Sequence, residues 1–277
     1  MLDFLIAPFE FAFMQRALAG GVLVGAICAL VGTYVVLRGL AFVGDALAHA
    51  AFPGVVIAYL LKANIHLGAT IFAVLTALGI GLVSRRGRVS YDTAIGILFA
   101  GAFALGVLLM STIQGYTVDL FSFLFGNVLG ISQRDLLLVG SLGAIVVLTI
   151  ILFYKELLLL SFDPVTAEAM GYPVQALNYL LLGLIALTIV ISIQAVGIIL
   201  VVALLVTPSA TAYLLTVRFF RMMMLGILFA ALAAVIGLYL SYYLDVASGA
   251  AIVLVSTCLF FLVLAGRRLW TVAKPAA

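Results

Sequence analysis

Charge is scarce in this chain. Only 8% of its 277 residues are Asp, Glu, Lys or Arg, whereas 67% are hydrophobic, and soluble domains carry roughly 25% charge. That composition excludes a water-soluble globular enzyme. Thirteen basic and ten acidic residues leave a net charge of +3, spread thinly with no basic stripe or tail, which excludes a disordered or nucleic-acid-binding chain. Cysteine is almost missing. Cys28 and Cys258 both fall in apolar runs without a CxxC pair, and they read as small core residues, not as thiolate ligands. Met222, Met223 and Met224 stand beside Arg221 at the end of such a run and read as packing. The common catalytic signatures are absent as well: there is no GxxxxGKS/T phosphate loop, no HExxH and no GxSxG. The chain is therefore expected not to be an enzyme, and any ATP-driven work falls to a separate subunit.

What the sequence does have is long uncharged runs. A helix needs about 20 predominantly apolar residues to cross a bilayer. No Lys, Arg, Asp or Glu occurs in 17–37, 63–84, 93–118, 136–154, 222–244 or 246–266, and each run makes one span. The uncharged stretch 169–217 has room for two, with a break near Gln194 to Gly197. Residues 40–61 make a further span in spite of Asp45 and His49. These add to nine; an eight-span arrangement, with a piece between 176 and 212 re-entrant, stays open. Such runs do not fit the short alternating strands of a barrel, so the fold class is an all-α polytopic membrane protein.

With nine spans and an outside N-terminus, ten of the thirteen Lys and Arg lie on the inner side, and only Arg16, Lys62 and Arg134 lie outside. Basic residues collect in the cytoplasm, so a cytoplasmic C-terminus is expected. Residues 17–266 read as one transmembrane domain and 267–277 as a cytoplasmic tail. Residues 1–16 lack a basic leader before a short apolar stretch, and no cleaved signal is expected. Phe4, Phe9, Phe11 and Phe13 either lay this segment in the headgroup region or simply lead into the first span.

An ionisable group at mid-membrane is costly and by default functional. Asp45 and His49 are four residues apart, hence on one helical face. At 1.5 Å per residue His49 lies about 16 Å beyond Arg38, roughly half the hydrocarbon thickness. Pro53 offers no N–H to the carbonyl of residue 49. Gly54 and the alanines at 46, 48, 50 and 51 are read as leaving space around the pair. Mixed oxygen and nitrogen donors suit Mn²⁺, Zn²⁺ or Fe²⁺. Two copies about a two-fold axis would supply two Asp and two His to one site. A proton relay, or a bond that merely holds the bundle together, is open to the same residues. His66, at a span end, reads as a surface residue.

Between the fifth and sixth spans, Asp163 suits an N-cap, Pro164 the first helical position and Gly171 a helix stop. The short helix presents Val165, Ala169 and Met170 beside Glu168, either as a docking knob for a cytoplasmic partner or as a plain connector. Thr207, Pro208 and Ser209 mark a kink or a wet path in the seventh span. Asp119 and Asn127 bound a segment too short to cross, either a cap on the outer mouth of a pore or an interfacial helix.

The runs Leu37-Arg38-Gly39, Gly44-Asp45-Ala46-Leu47-Ala48-His49-Ala50 and Pro53-Gly54 together resemble the membrane permease subunit of bacterial ABC importers for manganese, zinc or iron. So do Asp92-Thr93-Ala94-Ile95-Gly96, Asp119-Leu120-Phe121 with Leu124-Phe125-Gly126-Asn127, Phe162-Asp163-Pro164 with Ala169-Met170-Gly171, and Val196-Gly197 through Thr207-Pro208-Ser209-Ala210-Thr211-Ala212. The likeness runs in order from about Arg16 to Gly266. It implies a homodimeric permease in the bacterial cytoplasmic membrane, two cytoplasmic ATPase subunits and an extracytoplasmic metal-binding protein. The divalent cation is cargo, not a resident cofactor. Asp45 and His49 would contact the metal, with Pro53, Thr207, Pro208 and Ser209 along the path. Asp163, Pro164, Glu168, Met170 and Gly171 would meet the ATPase, and Asp119 and Asn127 would sit at an outer gate. Pro53-Gly54 after the histidine resembles the manganese-type branch more than the zinc-type. The competing expectation is a proton-coupled secondary transporter using Asp45 and His49 as relay.

Overall fold

The computed structural model describes residues 7–86, 89–113 and 128–273, and among them there is no strand. Twelve α-helices follow in order: α1 (Ala12–Leu37), α2 (Ala41–Ala50), α3 (Phe52–Leu60), α4 (Ile65–Arg86), α5 (Tyr91–Ser111), α6 (Gln133–Leu152), α7 (Tyr154–Phe162), α8 (Pro164–Ala169), α9 (Val174–Val196), α10 (Ile198–Leu215), α11 (Phe219–Leu244) and α12 (Ser248–Ala273). With α2 and α3 taken as one crossing, nine of the described segments are long and apolar enough to span a membrane. Asp119 and Asn127 lie outside the described residues.

The helix boundaries have local chemical causes. Gly39, at φ +66°, turns the chain from α1 into α2, a conformation that glycine adopts without penalty. The side chain of Ser90 accepts from the Thr93 amide at the start of α5. Ser132 and Asp135 form a reciprocal capping box on α6. Gly197, at φ +85°, separates α9 from α10 within the uncharged stretch, so that stretch holds two helices.

α1 packs on α10 and α11, and α12 covers those two from the far side. A second group is formed by α2, α3, α4 and α5, while α9 touches α4 on one side and α1 and α6 on the other. Hydrophobic burial cannot drive helices together in lipid, so small residues that allow close approach take over. A methyl group added at Gly32 would lie 1.7 Å from the Leu205 carbonyl oxygen of α10. Gly54 on α3 and Gly68 on α4 meet in the same way, each with its added carbon 2.1–2.3 Å from the other's carbonyl oxygen. Gly54, next to Pro53, is therefore a packing position.

Two sequence expectations need correction. Cys28 is buried, 3.6 Å from the Ser192 hydroxyl, but Cys258 is exposed on α12. An outer helix is as apolar on its lipid face as on its packed face, so an apolar run does not distinguish them. The alanines around the acid and imidazole leave no vacancy either: Ala46, Ala48, Ala50 and Ala51 are all packed against neighbours.

Candidate metal site

Asp45 and His49 lie on the last two turns of α2, close to halfway along the crossing 41–60. The helix breaks for one residue at Ala51, and Pro53 sits in the first turn of α3, where its missing N–H goes unneeded. Gly44 precedes the aspartate because a side-chain carbon there would meet Leu205 Cδ2 at 2.7 Å. The α2 face that carries the pair is set by this contact with α10 on one side and by packing on α5 on the other.

The two side chains touch each other. His49 Nδ1 is 3.4 Å from Asp45 Oδ1 and 3.0 Å from the Asp45 main-chain carbonyl. A carbonyl only accepts, so Nδ1 carries a proton and donates, and Nε2 takes no part in that bond. This is the usual arrangement of a metal-binding imidazole, with one nitrogen held and the other free to coordinate. The side chains are 47% (Asp45) and 30% (His49) exposed, so the pair opens onto an uncovered face. No cluster of three or more His, Cys, Asp or Glu capable of holding a cation occurs among the described residues. One chain thus offers a carboxylate and an imidazole.

Phe99 and Phe103 of α5 flank the imidazole, each with its ring centroid 5.6 Å away. Nothing in the sequence distinguished them, since two phenylalanines four apart in an apolar helix look the same whether they face lipid or a ligand. The other path candidates lie on α10. Pro208 is buried inside α10, and Ser209, also buried, donates to the Ala29 carbonyl of α1 at 2.9 Å. Thr207 accepts at its carbonyl from the Thr211 hydroxyl. His66 is exposed at the start of α4, where its amide bonds the Asn64 side chain.

At the end of the bundle marked by Arg38, α7 leads into α8, which forms an exposed knob. Asp163 caps α8: its carboxylate accepts from the Thr166 amide at 2.9 Å and also bonds the Thr166 hydroxyl. Those bonds hold its pKa below the usual carboxylate range. Gly171, at φ +84°, ends the turn. Pro164, Val165, Glu168 and Met170 are exposed, and only Ala167 is buried. Behind the knob is an aromatic cluster that sequence reasoning missed. Phe219, the first residue of α11, stacks edge-on with Tyr34 of α1 at 4.9 Å and lies 5.7 Å from Tyr154 and 6.4 Å from Phe162, the two ends of α7.

A family model described as the ABC 3 transport family matches residues 10–267. The chain belongs to that family. The manganese transport system membrane protein MntC of Halalkalibacterium halodurans is 52% identical over 253 residues, which cover 91% of this chain and 87% of the relative. A probable iron transport system membrane protein of Haemophilus influenzae is 41% identical over 265 residues, 96% of this chain and 97% of that one. Among solved structures, PsaBC from Streptococcus pneumoniae in complex with Fab superposes with a TM-score of 0.83 at 39% identity, covering 95% of each chain. Membership in the ABC 3 transport family and nine apolar helices make this a multi-pass membrane protein of permease type.

Proposed function

We propose that this chain is the permease subunit of an ATP-driven importer that carries a divalent transition metal, Mn²⁺ foremost with Zn²⁺ and Fe²⁺ as related cargo, across a bacterial cytoplasmic membrane. The observation that carries the reading is the Asp45/His49 pair: a carboxylate and an oriented imidazole at mid-crossing, open to one side. In hydrocarbon such a pair is costly unless it meets a cation or an aqueous path. Oxygen and nitrogen donors together match Mn²⁺, Fe²⁺ or Zn²⁺ and suit Cu(I) poorly. The names of relatives, manganese and iron transport proteins, agree with that donor set.

Two copies joined about a two-fold axis bring two carboxylates and two imidazoles to one cation. An extracytoplasmic binding protein delivers the metal at the outer face. Two cytoplasmic ATPases grip the exposed knob through Val165, Glu168 and Met170. Closure of the ATPases turns the two permeases from outward-open to inward-open, and the C-terminus lies in the cytoplasm.

Reconstitution with the cognate ATPase, with the metal-loaded binding protein supplied outside, tests this. Uptake of radioactive Mn²⁺ into proteoliposomes is expected only with MgATP inside the ATPase compartment, and a proton gradient alone drives none. Uptake by the permease alone under a proton gradient overturns the proposal and favours a relay role for the same pair.

A further inference from the structure

The imidazole of His49 is held by more than its own helix. Phe99 and Phe103 stack on each other across one turn of α5, centroids 6.1 Å apart and planes 25° apart, and form a continuous aromatic wall. The His49 ring stands almost perpendicular to both, at 77° and 78°. Phe52 extends the wall, 6.1 Å from Phe103. What brings α5 this close is Gly106, one turn further along: a carbon added there would lie 2.6 Å from Phe52 Cδ1 and 3.1 Å from the Pro53 nitrogen.

Two constraints are needed to aim an imidazole nitrogen. The Nδ1 bond to the Asp45 carbonyl decides which edge of the ring faces inward, but it leaves the ring plane free to rock about that contact. Perpendicular packing against two aromatic rings removes the rocking, because a ring's positive edge favours another's negative face and a tilted ring loses both contacts. The wall also contributes no acceptor or donor, so nothing on that side competes for Nε2.

We propose that Phe99 and Phe103 are positioning residues of the metal site. They fix the plane of the His49 ring so that Nε2 is aimed at the cation before it arrives. The inference rests on the reading of Asp45 and His49 as metal ligands. Removing the wall leaves both donors in place but lets the imidazole reorient, so binding must first freeze a ring that was previously held. Groups that support a metal ligand in this way are worth roughly 10- to 100-fold in metal affinity.

The test uses the assembled transporter in proteoliposomes, with initial Mn²⁺ uptake measured over a range of metal concentrations. In Phe99→Leu/Phe103→Leu, KM for Mn²⁺ is expected to rise at least about tenfold while maximal rate and ATPase assembly stay near wild type. The Phe99→Tyr/Phe103→Tyr variant, which keeps the rings, is expected to restore KM. An unchanged KM in the double leucine variant overturns the proposal, as does equal impairment of the leucine and tyrosine variants, which marks a packing role only. If the double leucine variant does not assemble, Phe99→Leu and Phe103→Leu alone carry the same KM criterion. His49→Ala is measured alongside. Wild-type KM there removes the metal site itself, whereas lost uptake there with an unchanged leucine KM removes only the wall.

Discussion

At the scale of single residues, Asp45 and His49 differ in what each contributes. The aspartate brings a carboxylate and the imidazole a second ring nitrogen, with the ring oriented by a 3.0 Å bond from Nδ1 to the aspartate's own carbonyl. Asp45→Asn keeps the shape and the main-chain bond but removes the charge that balances a divalent cation. His49→Ala removes the nitrogen donor. Uptake of Mn²⁺ is expected to fall at least about 100-fold in either variant, the upper end of what a lost metal-site partner costs, with permease and ATPase still copurifying. Near-normal uptake in both excludes the pair as the transport site. The pair was legible because ionisable residues are so rare in apolar spans that two of them four apart stand out. The aromatic wall was not, since Phe99 and Phe103 belong to the same hydrophobic background as the 19 phenylalanines of the chain.

At the scale of elements, the short helix α8 was readable down to its punctuation: Asp163 caps it and Gly171 ends it, as the residue types implied. The Asp163 carboxylate is stabilised in its ionised form, so its capping contribution is present above the ordinary carboxylate range and is lost only as the pH drops through its lowered pKa. Glu168→Ala and Met170→Ala alter exposed side chains that support no packing. Both are expected to leave folding intact while lowering metal moved per ATP hydrolysed, measured by paired uptake and phosphate-release assays. Unchanged coupling makes α8 a connector. Close helix contacts were less legible, because a glycine in sequence does not say what it faces. Gly32→Ala forces α1 off the Leu205 carbonyl and is expected to cost about 1–3 kcal/mol, the usual range for overpacking, seen as a lower Tm in detergent. Gly183→Ala, where an added carbon meets nothing within 4 Å, is expected to leave Tm unchanged.

At the scale of the whole molecule, gaps between charges marked out eight of the nine crossings found among the described residues, the ninth being the one that carries Asp45, and the break at Gly197 came where the uncharged stretch was too long for one. Which helices face lipid was hidden, because the bilayer accepts the same residues that the bundle packs; Cys258 is an example. The proposed sharing of one site by two copies sets a stoichiometry. The purified complex is expected to hold one Mn²⁺ per two permease chains by elemental analysis, and none in Asp45→Ala. One ion per chain would place a complete site within each copy and exclude a shared one.

The meeting of Gly32 with the Leu205 carbonyl has a mechanical side, reinforced by the bond from Ser209 to Ala29. Main chain rests on main chain there, with no flexible side chain between to take up a small slip, and a shift to the next register requires a whole helical pitch of about 5.4 Å. α1 and α10 therefore travel as one keyed lever. Whatever swings during a transport cycle, the slack must be taken up at other helix contacts than this one.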